Sequence, residues 1–167
     1  KAAAANPRST VGTITDIQDF LRLLFARAGQ PFCVKCASAV VAQTIEQMVD
    51  RLLALPEQSK ILVLAPLEFT PGATAKGLQE LARQGFTRLI VDGLSYELGG
   101  EGPDNLANAS RMDLLVDRLV LRQGIENRLA DSLELAARAG QQMVKIEVLG
   151  DDGVQTAPII FSRDWVC

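Results

Sequence analysis

The 167-residue chain has no histidine, only three cysteines and few aromatic side chains. Without imidazole the commonest general base is gone, and with it the Ser-His and Cys-His nucleophile pairs and every zinc site that uses histidine. Most hydrolase chemistry is thereby excluded. Neither G-x-x-x-x-G-K-[ST] nor G-x-G-x-x-G occurs, so no phosphate cradle is complete within these residues and nucleotide turnover by them alone is not expected. No apolar run approaches the roughly 20 residues of a membrane span, and the start "KAAAANPRST" lacks the apolar centre of a signal peptide. A cytoplasmic home with no membrane contact is the expectation.

What is present supports a folded domain. About half the residues are apolar, and the length allows a real core. The net charge of −3 is uneven: residues 1–30 carry Lys1, Arg8, Arg22 and Arg27 against Asp16 and Asp19, a balance of +2 that leaves −5 for the remainder. A nucleic-acid domain acting alone is usually basic, so DNA is expected at most as the partner of something larger.

Two helices are well signed near the start. Thr15 with Gln18 fits a capping box, and Ile17, Phe20, Leu21, Leu24 and Phe25 follow the helical period, which predicts one buried stripe ended by Gly29 and Pro31. Thr44 with Gln47 repeats the pattern, with Ile45, Met48, Val49, Leu52 and Leu53 as the apolar face and a stop before Pro56. From Lys60 the period changes: "KILVLAPLEF" suits a buried strand, and a loop and helix follow to Gly85. "TRLIVDG" and "LSYEL" read as a hairpin across Asp92-Gly93. "GGEGPDNLANAS" is the expected flexible loop. "RMDLLVDRLVLR" reads as a long strand, residues 125–139 as a helix, and "MVKIEVLG" and "APIIFS" as a strand pair about Asp151-Asp152-Gly153. The order predicts an α+β domain over about residues 43–155, a mixed sheet with flanking helices.

Candidate chemistry is sparse. Cys33 and Cys36, spaced C-x-x-C, can hold half of a tetrahedral zinc site, to which Cys167 adds at most a third ligand. Cys167 could also open a second C-x-x-C, so the chain end is expected to be a cut. A thioredoxin-like dithiol needs its first cysteine at a helix N-terminus after a strand, whereas this pair follows a helix. Two reduced thiols in a turn form the third reading. The loop "NPRSTVGT" offers Arg8, hydroxyls and a glycine suited to a phosphate, or simply connects elements. Arg88 and Arg118 lie in strand-like runs. On period 2, Arg118 shares a face with Val116 and Val120, and Asp117 shares the other with Leu115 and Leu119. They read either as solvated or Asp-paired arginines at a sheet edge or as charged anchors for a protein partner.

The run "NPRSTVGTITDIQDFLRLLFARAGQPFCVKC", with "QTIEQMVDRLLALPE", "LVLAPL", "VDRLVLR" and "RLADSLELA", resembles the UvrA family, the damage-recognition ATPases of bacterial nucleotide excision repair. The resemblance implies an inserted interaction domain attached to a short piece of an ABC-type ATP-binding domain. Residues 1–37 would belong to the first ATP-binding domain, 38–155 to the UvrB-binding domain, and 156–167 to the return toward the ATP-binding and zinc-bearing region. It also implies a UvrA homodimer in full length, with ATP and damaged DNA bound outside these residues, and a chain with no complete active site that belongs to an ATPase. Arg88, Arg118 and the neighbouring Asp117 are the implied UvrB-contact residues, Cys33 and Cys36 a separate metal site in the intact protein, and Cys167 the first cysteine of the next zinc module. The alternative is a free-standing zinc or dithiol protein built on Cys33 and Cys36.

Overall fold

The computed structural model describes residues 11, 15–67, 74–98, 109–150 and 157–165. The expected loop at 99–110 lies largely outside them, as do the phosphate-like loop "NPRSTVGT", the turn at Asp151-Asp152-Gly153 and Cys167. Contacts divide the chain into two units, one reaching Val41 and the other beginning at Ala42.

In the first unit, helix α1 spans Ile17–Ala28 and ends at Gly29, as the sequence predicts. Its start differs. Asp16 precedes the helix at a left-handed φ of 58° with no side-chain cap. The Thr15 hydroxyl donates to the Val11 carbonyl at 2.7 Å, and because Asp16 rather than Thr15 holds the N-cap position the expected Thr15–Gln18 box does not form. The predicted stripe is also not buried: no residue of α1 is, and Phe20 and Phe25 are 71% and 68% exposed. Helical period identifies which face is apolar, but burial depends on a surface that covers it, and no described residue buries this one.

The second unit follows the sequence closely. Helix α2, Ile45–Leu53, opens with the full capping box: the Gln47 amide donates to Thr44 Oγ1 at 3.3 Å, and the Thr44 amide donates to Gln47 Oε1 at 3.0 Å. Then come β1 (Lys60–Pro66), α3 (Thr74–Arg83), β2 (Arg88–Val91), β3 (Leu94–Glu97), β4 (Met112–Val120), α4 (Glu126–Ala139), β5 (Met143–Leu149) and β6 (Ile159–Ser162). The β2–β3 hairpin turns on Asp92 and Gly93 at φ of 49° and 86°, the pair of positive values that a type I′ turn requires. The Asp92 carboxylate reaches on to the backbone amides of Ser110 and Arg111, which holds the entry to β4 against this turn.

The six strands form one sheet in the order β3-β2-β4-β1-β5-β6. The α+β class is as expected, but all five pairings are antiparallel where a mixed sheet was expected. The connections explain this. Helix α3 joins β1 to β2, which run in the same direction, and β4 lies between them. Helix α4 likewise joins β4 to β5 with β1 between. Two interlocked split β-α-β units result, the ferredoxin-like arrangement, here extended by β3 and β6 at the edges. The alternation of each strand now has a meaning. Ile61, Val63, Leu89, Leu114, Leu119, Val144, Ile146 and Phe161 face a core completed by Met48 and Leu52 of α2 and by Leu129, Leu133 and Ala136 of α4. Leu78 and Leu81 of α3 pack against that same core. A smaller cluster of Leu62, Leu64 and Leu115, with Ile90 and Leu149, occupies the opposite face of the sheet.

Candidate protein-interaction face

The opposite face acquires its composition from a bulge in β4. The β1–β4 register slips between Val63 and Leu64: Val63 is paired with Asp117, but Leu64 with Leu115, so Val116 is extra. Strict alternation would keep Leu115 with Asp117. The bulge separates them, turning Leu115 outward with Arg118 and leaving Val116 packed against the main core. One line across the outer face therefore runs Glu97, Arg88, Leu115, Leu64, Lys145, Ile160. A line further along β4 carries Arg118, Leu62 and Glu147.

Arg88 and Arg118 thus share one face, about 10 Å apart along the sheet by strand geometry, with the Leu62–Leu64–Leu115 cluster beside them. Both are exposed. Arg88 stands directly opposite Glu97, yet neither arginine forms an ion pair among the described residues.

Asp117 is not brought to this face. It points toward α4, where Arg128 Nε and Nη2 donate to its two oxygens at 3.1 and 3.0 Å and the Ser132 hydroxyl donates at 2.9 Å. Burial pushes its pKa up, but the bonds from Arg128, Ser132 and the Arg118 amide outweigh that and leave it below the usual carboxylate value. The same pairing raises Arg128. Asp117 ties β4 to α4 immediately after the bulge and so fixes where Arg118 emerges.

Sequence reasoning missed a second ionic group on the outer face. Lys145 Nζ lies 2.7 Å from Asp113 Oδ2 and 2.8 Å from Glu147 Oε1, with the lysine side chain 13% exposed and each acid 10%. Asp113 is on β4 and Lys145 on β5, with β1 between, so the lysine stem must lie across β1. That accounts in part for the complete burial of Leu64 on a face that α2, α3 and α4 do not cover. Burial pulls the Lys145 ammonium down, but its bonds to the two carboxylates prevail and raise it. Alternation in "VKIEV" puts Lys145 and Glu147 on one face, a signal present in the sequence. Only the strand order could add Asp113.

Cys33 and Cys36 sit in a turn closed by the isolated Phe32–Ala39 bridge. The Cys33 amide donates to the Ser38 carbonyl at 2.8 Å, the Ala37 amide to the Cys33 carbonyl at 2.8 Å, and the Lys35 amide to Cys33 Sγ at 3.4 Å. An amide aimed at sulfur suits a metal-binding thiolate, and the turn puts both sulfurs on one short segment, which fits half of a tetrahedral site. Among the described residues no group of three or more Cys, Asp or Glu converges to complete one.

A family model described as the UvrA interaction domain matches residues 43–150, and the chain belongs to that family. UvrABC system protein A of Bacillus subtilis (strain 168) is 41% identical over the whole of this chain, and that of Listeria innocua is 38% identical over the same extent. The Clostridium perfringens protein of the same name is 40% identical over 91% of the chain. The chain spans only about 17% of the length of the first of these relatives. Among the described residues no helix is long and apolar enough to cross a membrane.

Proposed function

We propose that this chain is the module through which a UvrA protein recruits UvrB to damaged DNA in bacterial nucleotide excision repair, with Arg88 and Arg118 as its charged contacts. The observation that carries the reading is their placement. Two exposed arginines without ion-pair partners among the described residues share a sheet face beside an apolar cluster, while α2, α3 and α4 occupy the other face. Such a face offers cationic anchors at the margin of apolar area, which is how protein interfaces combine orientation with affinity. The names of the relatives and of the matching family support the same reading. Asp117 serves it indirectly, by holding β4 to α4.

The sheet-forming unit that begins at Ala42 and includes β6 is the UvrB-binding domain, and residues 1–37 contribute to an ATP-binding domain. ATP, damaged DNA and a second UvrA subunit are bound elsewhere in the longer protein, in the cytoplasm. Cys33 and Cys36 supply two ligands of a zinc site completed by other residues.

Calorimetric titration of the chain with UvrB, repeated with Arg88→Ala and Arg118→Ala, tests the recruitment role. Each substitution is expected to weaken binding by about 1–3 kcal/mol, the range of a charge-assisted contact at an interface. Unchanged affinity in the double variant refutes the assigned contacts, and no binding by the folded chain refutes the role.

A further inference from the structure

Beyond residue Leu115, β4 continues without β2 beside it. At that free margin, between the end of β4 and the start of α4, lies a cavity of about 390 Å³ lined by Gln58, Arg118, Leu119, Val120, Arg122, Ile125 and Arg128. Three of the seven residues are arginines, and none is an acid. Arg128 is fixed by Asp117, which occupies its Nε and one position on Nη2, while its remaining N–H donors meet no acceptor among the described residues. Arg118 and Arg122 have no ion-pair partner among the described residues. Gln58 is held at a left-handed φ of 66° by two backbone bonds across to Leu121: its amide donates to the Leu121 carbonyl at 2.8 Å, and the Leu121 amide returns to the Ser59 carbonyl at 2.9 Å. A non-glycine residue kept in that conformation costs stability, and here it adds a carboxamide to the cationic wall.

We infer that this cavity is a carboxylate receptor, in which an aspartate or glutamate of the protein partner is met by Arg122 and Gln58 together with Arg118, against Arg128 as a fixed wall. The inference rests on the reading of the adjoining sheet face as the partner surface, which it extends around the margin of β4. Charge complementarity selects the occupant. Guanidinium groups pair with carboxylates in two-point fashion, and several converging on one recess stabilise a single anion strongly. A nucleic-acid backbone presents a succession of phosphates and calls for a basic track. Here the cationic groups end at Arg122, whose other side borders a neighbouring cavity lined by Glu57 and Glu126.

The test is calorimetric titration of the chain with UvrB at low and moderate salt, using Arg122→Ala and Gln58→Gly alongside Arg88→Ala. Glycine accepts the Gln58 backbone conformation while removing its amide, and Arg122 is exposed, so both variants are expected to melt no lower than the parent. Arg122→Ala is expected to reduce affinity about tenfold and to flatten its salt dependence, with a smaller loss for Gln58→Gly. If Arg88→Ala weakens binding while Arg122→Ala stays within about twofold of the parent, the cavity assignment fails and the interaction reading stands. If the folded parent does not bind UvrB, both fail. If Arg122→Ala spares UvrB but reduces affinity for duplex DNA in a parallel titration, the cavity takes phosphate, and the carboxylate assignment is overturned.

Discussion

Replacing Lys145 by methionine keeps most of the stem that crosses β1 and removes only the charge. What remains is two carboxylates, Asp113 and Glu147, each 10% exposed and no longer bridged by the ammonium that lay 2.7 and 2.8 Å away. Each charge-assisted bond contributes about 1.5–3 kcal/mol, and breaking a buried ionic group by deleting one partner typically costs about 3–5 kcal/mol. Because Leu64 stays covered by the methionine, little of the loss comes from exposed apolar area. The expected destabilisation is therefore about 3 kcal/mol at neutral pH, a large share of the roughly 5–15 kcal/mol that holds a domain together. Urea unfolding of the parent and of Lys145→Met measures it. In the parent, the raised Lys145 value means its contribution is complete below 10.5 and is lost only as the pH rises through the higher folded-state value. Exchanging all three groups for apolar residues of similar size should be neutral or stabilising. A Lys145→Met deficit below about 1 kcal/mol would refute the argument that burial makes this network costly to break.

Asp117→Asn should lower the melting temperature at pH 7 by loosening β4 from α4. Its depressed pKa makes the parent's advantage complete above 3.8 and lost as the pH falls through the lower folded-state value, so melting curves of the two proteins should converge in strong acid. Thr44→Ala removes the cap of α2 and should cost about 1 kcal/mol in urea unfolding, with Thr44→Ser recovering most of it.

Local chemistry made much of this protein legible from its residues. The Thr44–Gln47 box, the Asp92-Gly93 turn, the strand alternations and the stop at Gly85, which has a φ of 93°, each depend on a few neighbouring side chains or on one backbone conformation. Such signals survive reading along a single chain. The α1 stripe was equally legible as a pattern, but the pattern expresses a demand for a partner surface, and the helix remains exposed.

What the sequence alone determined was the identity and order of the elements and the apolar side of most of them. Tertiary structure decided the rest, because strand order and register are set by which chain segments meet. The insertion of β4 between β1 and β2, and of β1 between β4 and β5, made the sheet antiparallel and brought Asp113 to Lys145 across an intervening strand. The bulge beside Val63 set Arg118 beside Leu115 and directed Asp117 to α4. One extra residue changes every facing relation beyond it, and no period read along β4 by itself can reveal where that residue falls.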